Sequence, residues 1–223
     1  MRILVIGDTH CPGMLSSYPA FLKRVYQKYD CNKVVMVGDL VDLAAISYHE
    51  KHPSLSSVEE EMDKARRQVR LLYRAFPKCE WLIGNHDALT ERKAGSIGLP
   101  MDVLRSYKDL WEVPDWTVHP RFSRYQFENT IYCHGDSGKT GMYAAVKNAR
   151  DNFINWVQGH CHSEAGVWWT TVESASVFGM NVGCGVDRDL LQFAYGKKFN
   201  RKPTIGCGIV INGKQAYFEP MRV

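Results

Sequence analysis

The sequence predicts an α/β fold, and three observations support this. Short continuous apolar runs predict buried strands, and several of them end at a glycine followed by polar residues. Between the early runs lie segments with apolar residues at helical spacing. The later runs are shorter and alternate apolar with polar residues, which favours antiparallel pairing. We therefore expect parallel β-α-β units followed by an antiparallel part.

The first half of the chain predicts a β-α-β unit, a long helix and a further strand. Strands are expected at 2–6 and 33–37, with an amphipathic helix at 18–29 between them. Residues 58–76 form the clearest helix, with one apolar face and i,i+4 charge pairs on the other. A third buried strand is expected at 81–83. Functional groups gather past the carboxyl ends of such strands.

The second half of the chain has a less regular pattern of helices and strands. The stretch 88–120 is irregular apart from a helix expected at 101–111, and short edge strands or connections are expected at 117–120 and 121–127. A helix is expected within 141–152, and Asn212-Gly213 is a strong hairpin signal. The remaining predicted strands are 130–133, 155–158, 168–172, 176–181, 205–211 and 215–218.

Bulk properties narrow the class of protein. The 223 residues contain no Pro/Gly/Ser-rich linker and no repeat, so we expect a single domain over residues 1–223. No stretch reaches the roughly 18 apolar residues of a membrane span. Seven scattered cysteines without a C-x-x-C pair favour a reduced, cytoplasmic setting. The net charge of +4 is compatible with a phosphate-bearing substrate.

Polar motifs follow five of the predicted strands. A lone D-x-H after a strand is usually a solvated loop, yet two such residues can also share one ion. Two carboxylates that converge beside a histidine repel each other unless a cation lies between them. The five motifs are Asp8-Thr9-His10, Gly38-Asp39, Gly84-Asn85-His86-Asp87, His134-Gly135 and Gly159-His160-Cys161-His162.

In order and spacing these motifs resemble the calcineurin-like metallophosphoesterase family. The resemblance runs from residue 8 to residue 162 and implies two stacked mixed β-sheets flanked by helices, a four-layer αββα sandwich. It implies that Asp39 bridges two divalent metal ions, manganese first, with iron, zinc, nickel or cobalt as alternatives. One ion would be held by Asp8, His10 and His162, and the other by Asn85, His134 and His160.

The resemblance also implies a mechanism. Two cations would bind a bridging water, lower its pKa and offset charge on the phosphoryl oxygens, and the resulting hydroxide would attack phosphorus. His86 stays off the metals and would protonate the leaving oxygen or steady the transition state. Asp42 matches the family position that orients this histidine. It could equally be a carboxylate at a turn or helix start, and both interpretations stay open.

Departures from the family pattern bear on the substrate. The protein phosphatase branch resembles G-D-x-x-D-R-G and G-N-H-E, whereas this chain has Leu43-Ala44 after Asp42 and Asp87 in place of the glutamate. We therefore expect a phosphodiesterase acting on a nucleotide or nucleic acid. The alternatives are a phosphomonoesterase for a small metabolite or phosphoprotein and, from another class, a non-catalytic binding module.

Loop residues beside the motifs are weaker candidates. Substrate contacts are expected from His49, Arg92 and Lys93, with His52 as a further candidate, although each could be plain surface. The segment Tyr195–Lys202 is either a solvated loop or a nucleic-acid contact. Other residues near the motifs are interpreted as structural: Cys11, Cys133 and Cys161 as small hydrophobes, and His119 as a structural histidine.

Overall fold

The computed structural model describes residues 1–48, 55–173, 175–187, 189–190 and 200–222. Two mixed β-sheets of six and five strands form its centre. Apolar side chains of both sheets, among them Val5, Val35, Val157 and Phe178, form one buried cluster. The sheets therefore lie face to face, as the family resemblance implied.

The first sheet carries the parallel units of the amino-terminal half. Its strand order is β11-β10-β1-β2-β3-β4, with β1 to β4 parallel to one another and β10 antiparallel to both β1 and β11. The strands are β1 (Arg2–Ile6), β2 (Lys33–Met36), β3 (Glu80–Leu82), β4 (Thr117–His119), β10 (Gly206–Ile211) and β11 (Gln215–Pro220).

The second sheet is built from the strands between these. Its order is β5-β6-β7-β9-β8; the β6–β7 and β7–β9 pairs are parallel, and the two edge pairs are antiparallel. The carboxyl ends of β6 and β7 consequently lie side by side. The strands are β5 (Tyr125–Phe127), β6 (Thr130–Cys133), β7 (Asn155–Gln158), β8 (Gly166–Val172) and β9 (Ala175–Asn181).

Helices cover the outer face of each sheet. Phe21, Leu22 and Val25 of the first helix are buried in the cluster that also holds Val69 and Leu72 of the second. A separate cluster packs the last helix against β7 and β9. The α-helices are α1 (Tyr18–Lys28), α2 (Val58–Ala75), α3 (Leu89–Ser96), α4 (Tyr107–Trp111) and α5 (Ala144–Asn152).

The irregular middle stretch differs from the prediction. The helix expected at 101–111 is wrong as one element: a 3-10 turn at Met101–Val103 is separated from α4 by Leu104, which is extended. Ser106 then caps α4, because its side chain accepts a hydrogen bond from the backbone N–H of Asp109. Helix α3 was not predicted. The Asn212-Gly213 hairpin is confirmed, and both residues have positive φ as a type I′ turn requires.

Within the described part of the chain, no helix is both long enough and apolar enough to cross a membrane.

Candidate metal centre

The predicted ligands follow the carboxyl ends of β1, β2, β3, β6 and β7, where the two sheets meet. At four of them, Asp8, His10, Asp39 and His160, the backbone has φ between 46° and 65°. This left-handed conformation is uncommon for non-glycine residues, and such strain concentrates at functional sites. The turns bring side chains from both sheets into one buried cluster.

The first group joins the β1 loop to the β7 loop. The Nε2 atoms of His10 and His162 lie 3.1 Å apart. His162 Nε2 lies 3.3 Å from Asp8 Oδ1, and His10 Nε2 lies 3.6 Å from Asp39 Oδ2. One ligand atom from each of these four residues falls within 4.8 Å of the others. The group therefore contains the three predicted ligands of the first ion together with Asp39, the predicted bridging residue.

The second group joins the β2, β3, β6 and β7 loops. His134 Nε2 lies 3.2 Å from Asp39 Oδ2 and 3.0 Å from Asn85 Oδ1. Ligand atoms of Asp39, His134 and His160 lie within 4.8 Å of one another. The same Asp39 oxygen thus faces both groups, which is the position that a bridging carboxylate requires.

Hydrogen bonds outside the cluster fix how the imidazoles face it. His10 Nδ1 donates to Asp42 Oδ1 at 2.8 Å, and His134 Nδ1 donates to the Val37 carbonyl at 2.9 Å. Since these oxygens only accept, each Nδ1 carries a proton. The Nε2 of each ring faces the cluster, and it is the nitrogen that would bind a cation there. Such nitrogen and carboxylate donors fit divalent ions of the manganese, iron or zinc type.

The carboxylates are also held in place. The backbone N–H of His160 donates to both oxygens of Asp8 at 3.0 Å, and that of His86 donates to Asp39 Oδ1 at 2.8 Å. This leaves Asp39 Oδ2 directed at the two histidine groups. Backbone hydrogen bonds therefore fix the orientation of both carboxylates.

His86 and Asp42 lie beside the cluster. Asp42 Oδ1 lies 3.0 Å from His86 Nδ1, and the Asp42 carbonyl lies 2.8 Å from the same atom. Asp42 therefore contacts His86 and the predicted ligand His10 with one carboxylate oxygen. His86 also lines the open cleft, where an imidazole can exchange a proton with a substrate.

The electrostatics favour positive charge in the cluster. Burial alone would lower the pKa of His86, but the charges of Asp39 and Asp42 outweigh it and raise that pKa to about 10. Burial would raise the pKa of Asp39, yet His134 and His86 hold it well below its usual range. The carboxylates therefore stabilise cationic partners here, whether protonated imidazole or divalent metal.

Asp87 has a structural position under the Gly84-Asn85-His86 turn. Its carboxylate accepts hydrogen bonds from the backbone N–H groups of Gly84 (2.9 Å) and Val41 (3.0 Å) and from the Trp81 indole (3.3 Å). Burial and the nearby Asp39 charge raise the pKa of Asp87 to about 7. Asp87 thus ties the loop after β2 to the loop after β3.

An open cleft of about 320 Å³ leads to the centre. The predicted contact Arg92 lines it and donates to the Asn85 carbonyl at 3.3 Å. The other predicted contact, Lys93, places its ammonium 3.7 Å from the centroid of the Tyr48 ring, which also lines the cleft. His49 and His52 lie outside the described residues.

Sequence reasoning missed one pair in the cleft wall. Arg121 Nε and Nη2 contact Asp136 Oδ2 at 2.8 and 2.7 Å, and both residues line the cleft. The pair joins the segment after β4 to the segment after β6, 15 residues further on. No local pattern marks it, although Asp136 follows the His134-Gly135 motif directly.

The remaining candidates have structural contacts. His119 Nε2 lies 2.8 Å from Glu80. Cys11 and Cys133 are buried, and burial raises the pKa of each thiol to about 12, so both behave as small hydrophobes. Of the segment 195–202 only 200–202 is described, and there Arg201 pairs with Glu164.

The fold is a sandwich of two β-sheets, and a cluster of histidines and carboxylates lies at its strand ends. These two features are typical of α/β metalloproteins. The family model described as calcineurin-like phosphoesterase matches residues 1–183, and the chain belongs to that family. The resemblance drawn from the motifs is thereby confirmed. No curated protein matches the sequence significantly.

Solved structures that are similar to this chain have low sequence identity to it. Vacuolar Protein Sorting 29 from Cryptosporidium parvum is 12% identical with a TM-score of 0.48, over 99% of this chain and 97% of that one. The phosphoesterase YfcE from E. coli is 13% identical with a TM-score of 0.46, over 95% and 89%. The nuclease MPE from Pseudomonas putida is 14% identical with a TM-score of 0.40, over 98% and 87%.

Proposed function

We propose that this protein is a dinuclear metal-dependent phosphodiesterase that acts on a nucleotide or nucleic acid. One observation carries the proposal: Asp39 Oδ2 lies between His10 Nε2 at 3.6 Å and His134 Nε2 at 3.2 Å. A single buried carboxylate shared by two histidine groups is the arrangement that a pair of cations needs.

The ligand roles follow from the two groups. Asp8, His10 and His162 would hold one ion, Asn85, His134 and His160 the other, and Asp39 both. Manganese is our first choice, with iron, zinc, nickel or cobalt as alternatives that this donor set also suits. Two such ions would activate a water for attack on phosphorus and offset the charge of the phosphoryl oxygens.

His86 is assigned the proton transfer. Its Nδ1 is held by Asp42, so the ring keeps one orientation, and the residue lines the cleft. A positioned imidazole that donates a proton to the leaving oxygen removes the need to expel an alkoxide. Asp42 is assigned the positioning of both His86 and His10, since it contacts each of them.

The cleft wall supports the diester preference. Arg121 is paired with Asp136, so its charge is largely compensated. Arg92 then supplies the cationic contact to a substrate phosphate, with Lys93 behind it over the Tyr48 ring. One guanidinium suits a singly charged diester. A cytoplasmic location completes the proposal, because the seven cysteines are all free thiols.

A phosphomonoesterase is the second candidate, and Arg92 is the observation that favours it. A guanidinium at the mouth of the cleft can also bind the doubly charged phosphate of a monoester by paired hydrogen bonds. A non-catalytic binding module remains as a third. It is disfavoured because all seven predicted ligands lie together at the metal centre, whereas a site without catalytic function need not retain the full set.

The deciding experiment compares bis-p-nitrophenyl phosphate with p-nitrophenyl phosphate, with manganese supplied and with EDTA as the control. We expect faster cleavage of the diester and loss of both activities in EDTA. Faster cleavage of the monoester would replace the diesterase by the second candidate. Hydrolysis of neither ester, with manganese bound, would favour the binding module.

A further inference from the structure

A second charged feature lies on the helical layer outside the first sheet. A groove of about 730 Å³ runs between α2 and α4, and a second of about 440 Å³ shares Arg70, Arg105 and Glu112 with it. None of the residues that line these two cavities lines the metal-centre cleft. The cations of the joined groove are Arg66, Arg67, Arg70, Arg74, Arg105 and Lys108. We call these six residues and their acidic neighbours the basic groove.

Acidic residues compensate only part of this charge. Arg66 pairs with Asp63 at 2.9 Å, and Arg70 pairs with Glu112 at 2.5 Å. The one other acid that lines the groove, Asp109, is hydrogen-bonded to Ser106. Across the described residues, no carboxylate comes within ion-pair distance of the other four cations, which are Arg67, Arg74, Arg105 and Lys108.

Two of these four cations are held by the backbone instead. Arg105 Nη2 donates to the Asp109 carbonyl at 2.9 Å, and Lys108 Nζ donates to the Pro114 carbonyl at 3.3 Å. These contacts direct both side chains toward the groove without neutralising them. The hydrogen bond from Arg70 and the charges of Arg66 and Arg105 lower the pKa of Glu112, which places several cations around one carboxylate. Like charges gathered in this way favour an anionic ligand.

The shape and spacing of the groove suit a chain of phosphates. Arg67, Arg70 and Arg74 follow one another by about one helical turn, so the outer two are roughly 10 Å apart along the axis of α2. An extended strand that lies along α2 can therefore present more than one phosphate to these side chains. The side chains are exposed and the groove is open, which suits a ligand that passes through it. Guanidinium groups predominate, and they bind phosphate by paired hydrogen bonds.

We propose that the basic groove binds the phosphodiester backbone of a single-stranded nucleic acid at a site separate from the metal centre. The proposal deepens the proposed function and rests on it for the identity of the substrate. Binding at the groove, however, needs no metal. The groove would hold a nucleic-acid substrate by its backbone while the metal cleft takes one phosphodiester of the same strand.

The test measures binding of a fluorescein-labelled oligothymidylate by anisotropy in EDTA, over a series of salt concentrations. The groove variant is Arg67→Ala/Arg74→Ala/Arg105→Ala. The control Lys23→Ala/Arg24→Ala/Lys214→Ala removes the same charge from exposed cations elsewhere. We expect the groove variant to bind at least roughly tenfold more weakly, with a salt slope reduced by about two. The control should bind as the wild type does.

Equal weakening in both variants would show that net charge alone attracts the strand, and would overturn the proposal. Unchanged binding in the groove variant would overturn it as well. The wild-type protein provides a test that does not depend on folding of a variant: poly-L-glutamate should displace the oligothymidylate poorly. If it competes as well as unlabelled oligothymidylate, the groove does not select phosphate.

Activity separates this proposal from the proposed function. The groove variant should hydrolyse bis-p-nitrophenyl phosphate as the wild type does, because that small diester needs only the metal cleft. If the wild-type protein binds oligothymidylate through the groove but hydrolyses no diester, the proposed function is contradicted and nucleic-acid binding at the groove is supported. The reverse result, diester cleavage without binding of oligothymidylate at the groove, would support the phosphodiesterase and contradict the binding role of the groove.

Discussion

The floor of the metal cleft and its rim are built in different ways. The floor consists of the seven predicted ligands at the strand ends, of which Asp8, His10 and Asp39 are each at most 1% exposed. Four of the seven predicted ligands, Asp8, His10, Asp39 and His134, have one contact toward the cluster and a second that holds the side chain in place. The rim consists of Tyr48, Arg92 and other half-buried or exposed residues from loops and a short helix.

This difference separates chemistry from substrate choice. A change in the floor leaves a buried charge or lone pair unpaired, and the site cannot adjust because the strands fix its neighbours. A change in the rim removes one contact in water, where the loss is small. We therefore expect floor variants to lose turnover and rim variants to alter substrate affinity.

The largest effect is expected for Asp39→Asn. Removing the shared charge should weaken both ions and lower kcat/KM on bis-p-nitrophenyl phosphate by roughly a thousandfold or more, about 4 kcal/mol. Metal content and kinetics measured together check this. The matched control is Asp63→Asn, which removes an exposed carboxylate from α2. Retention of two ions and near-normal activity by Asp39→Asn would show that Asp39 is not the bridge.

His86→Ala should separate metal binding from proton transfer. The variant should keep its metals, since His86 is not in either predicted ligand set, and lose about 10²- to 10⁴-fold in kcat on esters with poor leaving groups. The loss should be smaller with p-nitrophenolate, which needs little protonation. An equal loss on good and poor leaving groups would remove the acid role from His86.

Asp42→Asn tests whether metal binding and turnover depend on the contacts of Asp42 with His10 and His86. An amide oxygen still accepts hydrogen bonds but lacks the negative charge that strengthens the contacts with His10 and His86, so we expect a loss of about 10- to 100-fold in metal affinity or kcat. Thermal unfolding provides the discriminating readout. A lower melting temperature with normal kinetics would support the alternative of a plain turn carboxylate.

The smallest effect is expected at the rim. Arg92→Ala should raise KM by roughly tenfold with kcat little changed, because one charge-assisted contact contributes about 1.5 kcal/mol or more. Lys93→Ala is the matched control and should change KM less, since Arg92 lines the cleft and Lys93 is not among its lining residues. A fall in kcat without a change in KM for Arg92→Ala would place Arg92 in the floor rather than the rim.

The same division explains what the sequence predicted well. Asp8 and Asp39 closely follow apolar runs, and the adjacent strands β1 and β2 bring them together without further information. His134 follows β6 of the second sheet and reaches them because the two sheets lie face to face. The order of the strands within each sheet was not predicted. Neither was the shared contact of Asp42 with His10 and His86, because it depends on a left-handed turn at His10.

The rim was predicted poorly for physical reasons. Helix α3, which carries Arg92, contains Gly95 and only a short apolar pattern, so its helical signal is weak. Arg121 and Asp136 meet because the chain crosses from the edge of the first sheet to the second between β4 and β5. Contacts that depend on such a crossing have no local signature in the sequence.

The measurement that tests the central claim most directly is the number of manganese ions bound per chain, determined by native mass spectrometry after metal removal and titration. The account predicts two ions for the wild type and fewer than two for Asp39→Asn. A wild-type chain that takes up one ion or none under saturating manganese would contradict the dinuclear centre.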